Sequence, residues 1–304
     1  MATSPHRITD APEPYNSPKS DIILRSSDGV DFRFFKLLLS LASPFFSGMF
    51  DLPVAKDPAW EASSSEMEMK DGMVVVAVDE NSQVLTALLG FVHPWKVPTF
   101  ETLESSRVIL QAADKYGMDD VTEAVEEALI TSKFLDRRPS AVYALACTYK
   151  LEKAARAAAK LTLQHPMLFP FSPEVDHAPA AALYRLFAYR QACMKKVVEV
   201  THILALRDAY VACKACPTAT TLLSSVSVYQ WLWDSVHHLT SRIQEVGFGG
   251  DVMQHVTVSW PVLANAMQCP TCKTKAMEIF SRFVQEVKRD IELEIRKVAL
   301  EIKF

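Results

Sequence analysis

The chain has 304 residues, of which 49% are hydrophobic and 22% charged, and its formal net charge is −4. A single core rarely grows beyond ~250–300 residues, so we expect two domains, and the apolar content argues against global disorder. The acidic balance disfavours a nucleic-acid partner, because phosphate-binding surfaces are basic. No apolar run reaches the ~18–20 residues of a membrane span, so we expect no membrane partner either.

The N-terminal segment is polar and rich in proline, which predicts a disordered arm over residues 1–19. It lacks the apolar core of a secretory signal. Six cysteines without such a signal indicate a reducing compartment, so the sequence predicts a cytoplasmic or nuclear location.

A β-hairpin is predicted next. Ile22 and Leu24 alternate on one strand, and Phe32 and Phe34 alternate on the following one. Asp28-Gly29 between them favours a tight turn, because both central turn positions require positive φ. We therefore expect two paired strands with one apolar face.

Two short helices follow the hairpin. Residues 36–41 are apolar on nearly every side, which predicts a buried helix. Ser43 then provides a helix cap and Pro44 suits the first helical position. Residues 51–72 contain few apolar anchors and predict an exposed loop.

A strand and three helices complete the first domain. Residues 73–78 form a β-branched run of strand length, and Asn81 caps a helix that ends at His93-Pro94. A second helix begins near Leu103 and stops at Gly117, a residue suited to the left-handed position after a helix. A third runs to about residue 129.

This order of elements, together with the motifs, resembles a BTB/POZ domain over residues 20–132. The motifs that carry the resemblance are Ser20–Leu24, Phe32, Lys36, Leu39, Ser43, Phe45-Phe46, Met49-Phe50, Leu88–Pro94 and Ala112–Met118. The sequence departs from the family at Phe35, where a histidine usually precedes the lysine. The resemblance implies an α+β fold of short strands with a helical cluster.

The resemblance also implies a function. BTB domains form homodimers or dock protein partners and carry no chemistry of their own, and some relatives bind the cullin scaffold of ubiquitin ligases. Asp21 and Lys36 match the family's charged pocket near the dimer interface. The alternative is that Asp21 only starts a strand and Lys36 occupies a surface position.

A mainly α-helical domain is predicted over residues 139–304. Its start resembles the helical segment that follows BTB domains in many adaptors, including fungal ones. Apolar residues repeat at spacings of three and four along a long terminal helix, about 274–304. This stripe either forms a coiled coil or packs on the domain's own core, and the short pattern favours the second interpretation.

Two C-x-x-C pairs are the sharpest chemical feature of this second domain. Cys213 and Cys216 form one pair, and Cys269 and Cys272 form the other. Two such pairs can hold a structural zinc ion, because four thiolates complete its tetrahedral coordination. The long separation between the pairs leaves a second interpretation open, in which they are ordinary buried thiols.

The chain lacks the common catalytic motifs. G-x-G-x-x-G, the P-loop, G-x-S-x-G and H-E-x-x-H are all missing from the sequence. The sequence therefore predicts a non-enzymatic interaction protein with protein partners, acting as a homodimer or a docking module. The alternative is a substrate adaptor of a cullin-based ubiquitin ligase.

Overall fold

A computed structural model describes residues 8–52, 68–93, 101–206, 219–222, 226–246, 264, 266–267 and 269–304. The chain divides into two compact units, Met1–Ser132 and Lys133–Phe304. The first combines a five-stranded sheet with helices and the second is mainly helical, which confirms the predicted α+β class. Every helix in the described residues is too short or too polar to cross a membrane.

The first unit is built on a mixed sheet of five strands: β1 (Thr9–Asp10), β2 (Ile22–Arg25), β3 (Val30–Phe34), β4 (Met69–Lys70) and β5 (Met73–Ala77). Their order in the sheet is β1-β3-β2-β5-β4. β2 and β3 form the predicted antiparallel hairpin, in which Ile22 pairs with Phe34, and Gly29 in its turn has a φ of 82°. β5 lies parallel to β2.

Helices of the first unit begin and end at the predicted residues because local caps fix their ends. The Ser43 hydroxyl accepts the Phe46 backbone N–H, and Asn81 caps its helix in the same way. Gly117 ends a helix with a φ of 63°. The helices are α1 (Lys36–Ala42), α2 (Pro44–Asp51), α3 (Ser82–Val92), α4 (Leu103–Tyr116) and α5 (Asp119–Ile130).

Two predictions for this unit need correction. Residues 8–19 of the predicted disordered arm are ordered, since β1 pairs with β3 and Tyr15 is buried. The Tyr15 hydroxyl donates to the Thr86 carbonyl at 3.1 Å. The predicted loop over 51–72 contains β4, which pairs antiparallel with β5. Both segments gain order from distant partners that local sequence does not reveal.

The second unit packs its helices around an apolar core. Nearly all of the short helix Pro139–Thr148 is buried, and a hairpin that the sequence did not predict precedes the helix Gln230–Val246. The elements are α6 (Lys133–Arg137), α7 (Pro139–Thr148), α8 (Glu152–Thr162), a 3-10 turn (Pro173–His177), α9 (Ala180–Ala205), β6 (Ala219–Leu222), β7 (Val226–Tyr229), α10 (Gln230–Val246) and α11 (Ala276–Lys297).

The terminal helix α11 packs on the core of its own unit. Phe280, Val284 and Ile291 from its apolar stripe join a buried cluster that includes Trp231 of α10. This arrangement is the one favoured over a coiled coil. The helix ends at Lys297, so the predicted helix over 274–304 is too long, and residues 298–304 are not helical.

Candidate interaction surface

Helix α1 does not have the buried environment that its sequence predicts. Its composition indicated burial on all sides, but only Leu39 is buried, while Leu37 and Leu41 are 68% and 75% exposed. The two exposed leucines are four positions apart and lie on the same face of the helix. The prediction of a buried helix is therefore wrong for the isolated chain.

Exposed apolar side chains are also present on α2 and directly after it. Phe45 is 51% exposed, and Leu52, directly after α2, is 69% exposed. We call Leu37, Leu41, Phe45 and Leu52 the α1–α2 apolar face. Exposed apolar side chains are common singly, but a group on consecutive elements is typical of a contact surface.

Helix α2, which carries part of the α1–α2 apolar face, is held in place by contacts with α4. The Ser43 hydroxyl, which caps α2, donates to the Tyr116 carbonyl at 2.5 Å. The Tyr116 ring stacks on Phe46 with centroids 5.0 Å apart, and its hydroxyl donates to Glu80. Burial, together with the Glu80 hydrogen bond, raises the pKa of Tyr116. These contacts fix α2 against α4.

Lys115 strengthens the same anchor. Its ammonium lies 2.9 Å from carboxylate oxygens of both Asp79 and Glu80. Burial alone would lower the pKa of Lys115, but these hydrogen bonds outweigh it, so the pKa lies above its usual value. Lys115 therefore stays charged and holds the end of α4 to the chain that follows β5.

The structure brings Asp21 and Lys36 together, the two residues matched to the charged pocket. The Asp21 carboxylate accepts the Lys36 backbone N–H at 2.7 Å. This N–H is the first of α1, and the residue at the cap position, Phe35, contributes no side-chain cap. The Lys36 ammonium lies 5.8 Å from the centroid of the Phe50 ring. Asp21 therefore positions α1, and Lys36 borders α2.

A buried carboxylate that the sequence analysis did not single out ties the sheet together. Asp31 is fully buried and accepts hydrogen bonds from Arg25 at 2.6 Å and Lys70 at 2.7 Å. Burial alone would raise the pKa of Asp31, but these two cations outweigh it and lower the pKa. Arg25 also pairs with Glu68. The network links β2, β3 and β4.

The cysteine pairs are only partly described. Cys269 and Cys272 precede α11 and are both buried within the apolar cluster of the second unit. Cys213 and Cys216 lie outside the described residues. Within the described part of the chain, no group of three His, Cys, Asp or Glu residues could hold a metal ion. The zinc site therefore stays a prediction.

A small α+β unit with exposed apolar side chains on an anchored pair of helices has the features of a protein-interaction domain. Comparison with family models identifies it, since residues 15–133 match the BTB/POZ domain. The first unit is a BTB/POZ domain, which confirms the resemblance found in the sequence. Domains of this kind mediate protein–protein interactions and are not enzymes.

Three curated mouse (Mus musculus) proteins are similar to this chain. TD and POZ domain-containing protein 4 is 32% identical over 104 residues, which are 34% of this chain and 25% of the relative. TD and POZ domain-containing proteins 5 and 1 are each 30% identical, over 33% of this chain and 26% and 24% of their own lengths. The chain thus spans about a quarter of the curated relatives it matches.

Proposed function

We propose that the protein is a non-enzymatic interaction protein whose BTB/POZ domain pairs with a second copy of the chain through the α1–α2 apolar face. The observation that carries this proposal is the exposure of Leu37 and Leu41 on a helix that is apolar nearly all round. Such a helix is stable in water only when most of its surface is covered. A second chain provides the missing cover.

A second copy suits this face because a two-fold axis places the same surface on both sides of an interface. Each chain then contributes the same leucines and Phe45, which form a continuous apolar centre. The exposed Asp21 carboxylate and the Lys36 ammonium lie at the border of the face. Their opposite charges allow the rims of two copies to attract each other.

Sedimentation equilibrium of the full chain over a concentration series tests the proposal. We expect a reversible transition between one and two chain masses. A single-chain mass at every concentration would contradict pairing between copies. Larger open assemblies would also contradict it, because a two-fold interface closes after two chains.

The alternative function is that of a substrate adaptor for a cullin-based ubiquitin ligase. Affinity purification from a cytoplasmic or nuclear extract discriminates between the two. Recovery of a cullin in a stoichiometric amount supports the adaptor. Recovery of a tagged chain with its untagged copy and no cullin supports the dimer as the functional form.

A further inference from the structure

Helix α11 ends at Lys297 without a local stop signal. Residues 298–304 contain no glycine or proline, and Ala299, Leu300 and Glu301 belong to the residue types that favour helices most. Val298 nevertheless has extended dihedral angles, with φ −74° and ψ 118°, and the chain after it is not helical. Contacts with other parts of the protein must therefore hold this segment extended, because its own sequence favours continuation of the helix.

Two arginines on other helices of the same unit provide such contacts. Arg156 of α8 donates from its Nη1 to the carbonyl oxygen of Leu300 at 3.2 Å. Arg185 of α9 donates from its Nη2 to the carbonyl oxygen of Lys303 at 2.6 Å. Hydrogen bonds from a charged guanidinium are stronger than those from neutral donors. We call residues 298–304 the strap, since α8 and α9 both hold its backbone.

The side chains of the strap alternate between the protein and solvent. The apolar side chains at every second position are partly buried: Val298, Leu300 and Ile302. The side chains between them are exposed: Ala299, Glu301 and Lys303. A two-residue alternation is that of an extended chain that lies along a surface with one side. The strap therefore docks on α8 and α9 as an extended peptide does.

The contacts that hold the strap suit other peptides equally well. Arg156 and Arg185 bind main-chain carbonyl oxygens, which every peptide carries. Proteins that bind extended peptides commonly combine main-chain hydrogen bonds with contacts to alternate side chains. Both hydrogen bonds lie at exposed positions and the apolar side chains are only partly buried, so the strap opens at low cost in free energy.

We propose that the surface of α8 and α9 beside Arg156 and Arg185 binds an extended peptide with apolar residues at alternate positions, and that the strap occupies this site in cis. A partner segment of the same chemistry displaces the strap. The released strap can continue α11, because Val298 and Ile302 follow Ile295 at the helical spacings of three and four. The site is independent of the pairing proposed for the first unit.

Fluorescence anisotropy of the full chain with a labelled peptide tests the proposal. The peptide has the sequence of residues 298–304 and blocked ends. Because the strap occupies the site, wild type binds the peptide only through its open fraction. Leu300→Ser/Ile302→Ser weakens the docking of the strap, so we expect it to bind the peptide at least about tenfold more tightly than wild type. The matched control Glu301→Ser/Lys303→Ser changes only exposed side chains and should stay within about twofold of wild type.

The two arginines are tested in the Leu300→Ser/Ile302→Ser background. Addition of Arg156→Gln/Arg185→Gln should weaken peptide binding about tenfold, because it removes both charge-assisted hydrogen bonds. Addition of Arg242→Gln/Arg282→Gln is the matched control, since these arginines pair with glutamates of their own helices. It should change the affinity by no more than about twofold.

Three results would overturn the site. They are no saturable binding by Leu300→Ser/Ile302→Ser, equal affinity in that variant and in Glu301→Ser/Lys303→Ser, and equal weakening by the two arginine pairs. Circular dichroism verifies that each variant is folded. If Leu300→Ser/Ile302→Ser does not fold, Ile302→Ser alone replaces it, because this variant changes a single partly buried side chain.

Discussion

Leu41 is three-quarters exposed on α1, and its replacement by alanine tests whether a second chain covers it. The variant removes apolar surface without adding charge or bulk. In the single chain this side chain faces solvent, so its truncation should change the free energy of unfolding by no more than about 0.5 kcal/mol. Any larger effect must come from an intermolecular contact.

The expected loss of dimer affinity follows from the exposed fraction. Complete burial of a leucine side chain contributes about 1.5–3 kcal/mol, so burying the 75% that is exposed contributes about 1–2 kcal/mol. A two-fold interface contains the residue twice, which gives about 2–4 kcal/mol per dimer. This corresponds to a dissociation constant about 30- to 700-fold higher. Alanine keeps the β-carbon and therefore part of the apolar contact, so we expect the rise in the dissociation constant to lie toward the lower end of this range.

Sedimentation equilibrium of wild type, Leu41→Ala and Leu168→Ala measures the effect. Leu168 is 82% exposed in the second unit and is not part of the α1–α2 apolar face, so its variant makes the same chemical change at a residue to which the proposal gives no role. We expect only Leu41→Ala to weaken the dimer. An unchanged dissociation constant for Leu41→Ala, or equal weakening in both variants, would refute the assignment of the α1–α2 apolar face.

Three further predictions concern the sheet, the start of α1 and the cysteines. Asp31→Asn should lower the free energy of unfolding at neutral pH by about 2 kcal/mol, because it removes the charge-assisted hydrogen bonds that the buried carboxylate accepts from the partly buried Arg25 and Lys70. Asp10→Asn, which removes an exposed partner of the same lysine, should cost less than about 1 kcal/mol in urea denaturation. Because folding lowers the pKa of Asp31, the ionised carboxylate stabilises the folded chain at pH values above its unfolded pKa of ~3.9, and this stabilisation is lost as the pH falls below that value. The difference in the free energy of unfolding between wild type and Asp31→Asn should therefore shrink in acid. Asp21→Ala should destabilise the first unit by about 1 kcal/mol, and Asp21→Asn by less, since asparagine keeps an acceptor for the first N–H of α1. Purified protein should contain about one zinc per chain by metal analysis, which the double variant Cys213→Ser/Cys269→Ser should lose; a folded wild-type sample without metal would contradict this site.

Features of the fold that depend on near neighbours could be predicted from the sequence. The Asp28-Gly29 turn, the Ser43 and Asn81 caps and the Gly117 stop each act within a few residues. Each of these residue types favours one local backbone geometry, and the folded domain retains that geometry. The BTB/POZ motifs are ordered series of such signals, which is why they identified the first unit.

Features that depend on distant contacts were missed. Tyr15 is held by a hydrogen bond to the carbonyl of Thr86, and Asp31 forms an ion pair with Lys70. Because these partners are distant in sequence, neighbouring residues could not predict the ordered N-terminal segment or the buried carboxylate. The composition of α1 predicted burial, but whether its leucines are covered depends on what packs against them. For the cysteines, the C-x-x-C spacing alone does not determine whether the two pairs lie close enough in the folded chain to bind one zinc ion.

The contacts beneath the α1–α2 apolar face bear on how the face binds. Asp21 fixes the start of α1, and Ser43 and Tyr116 fix α2 before any partner arrives. Binding then requires little further ordering of the backbone, so more of the free energy of apolar burial becomes affinity. Truncating an exposed leucine removes contacts formed only in the complex and leaves this base intact. The weakening caused by Leu41→Ala should therefore appear mainly as faster dissociation of the dimer.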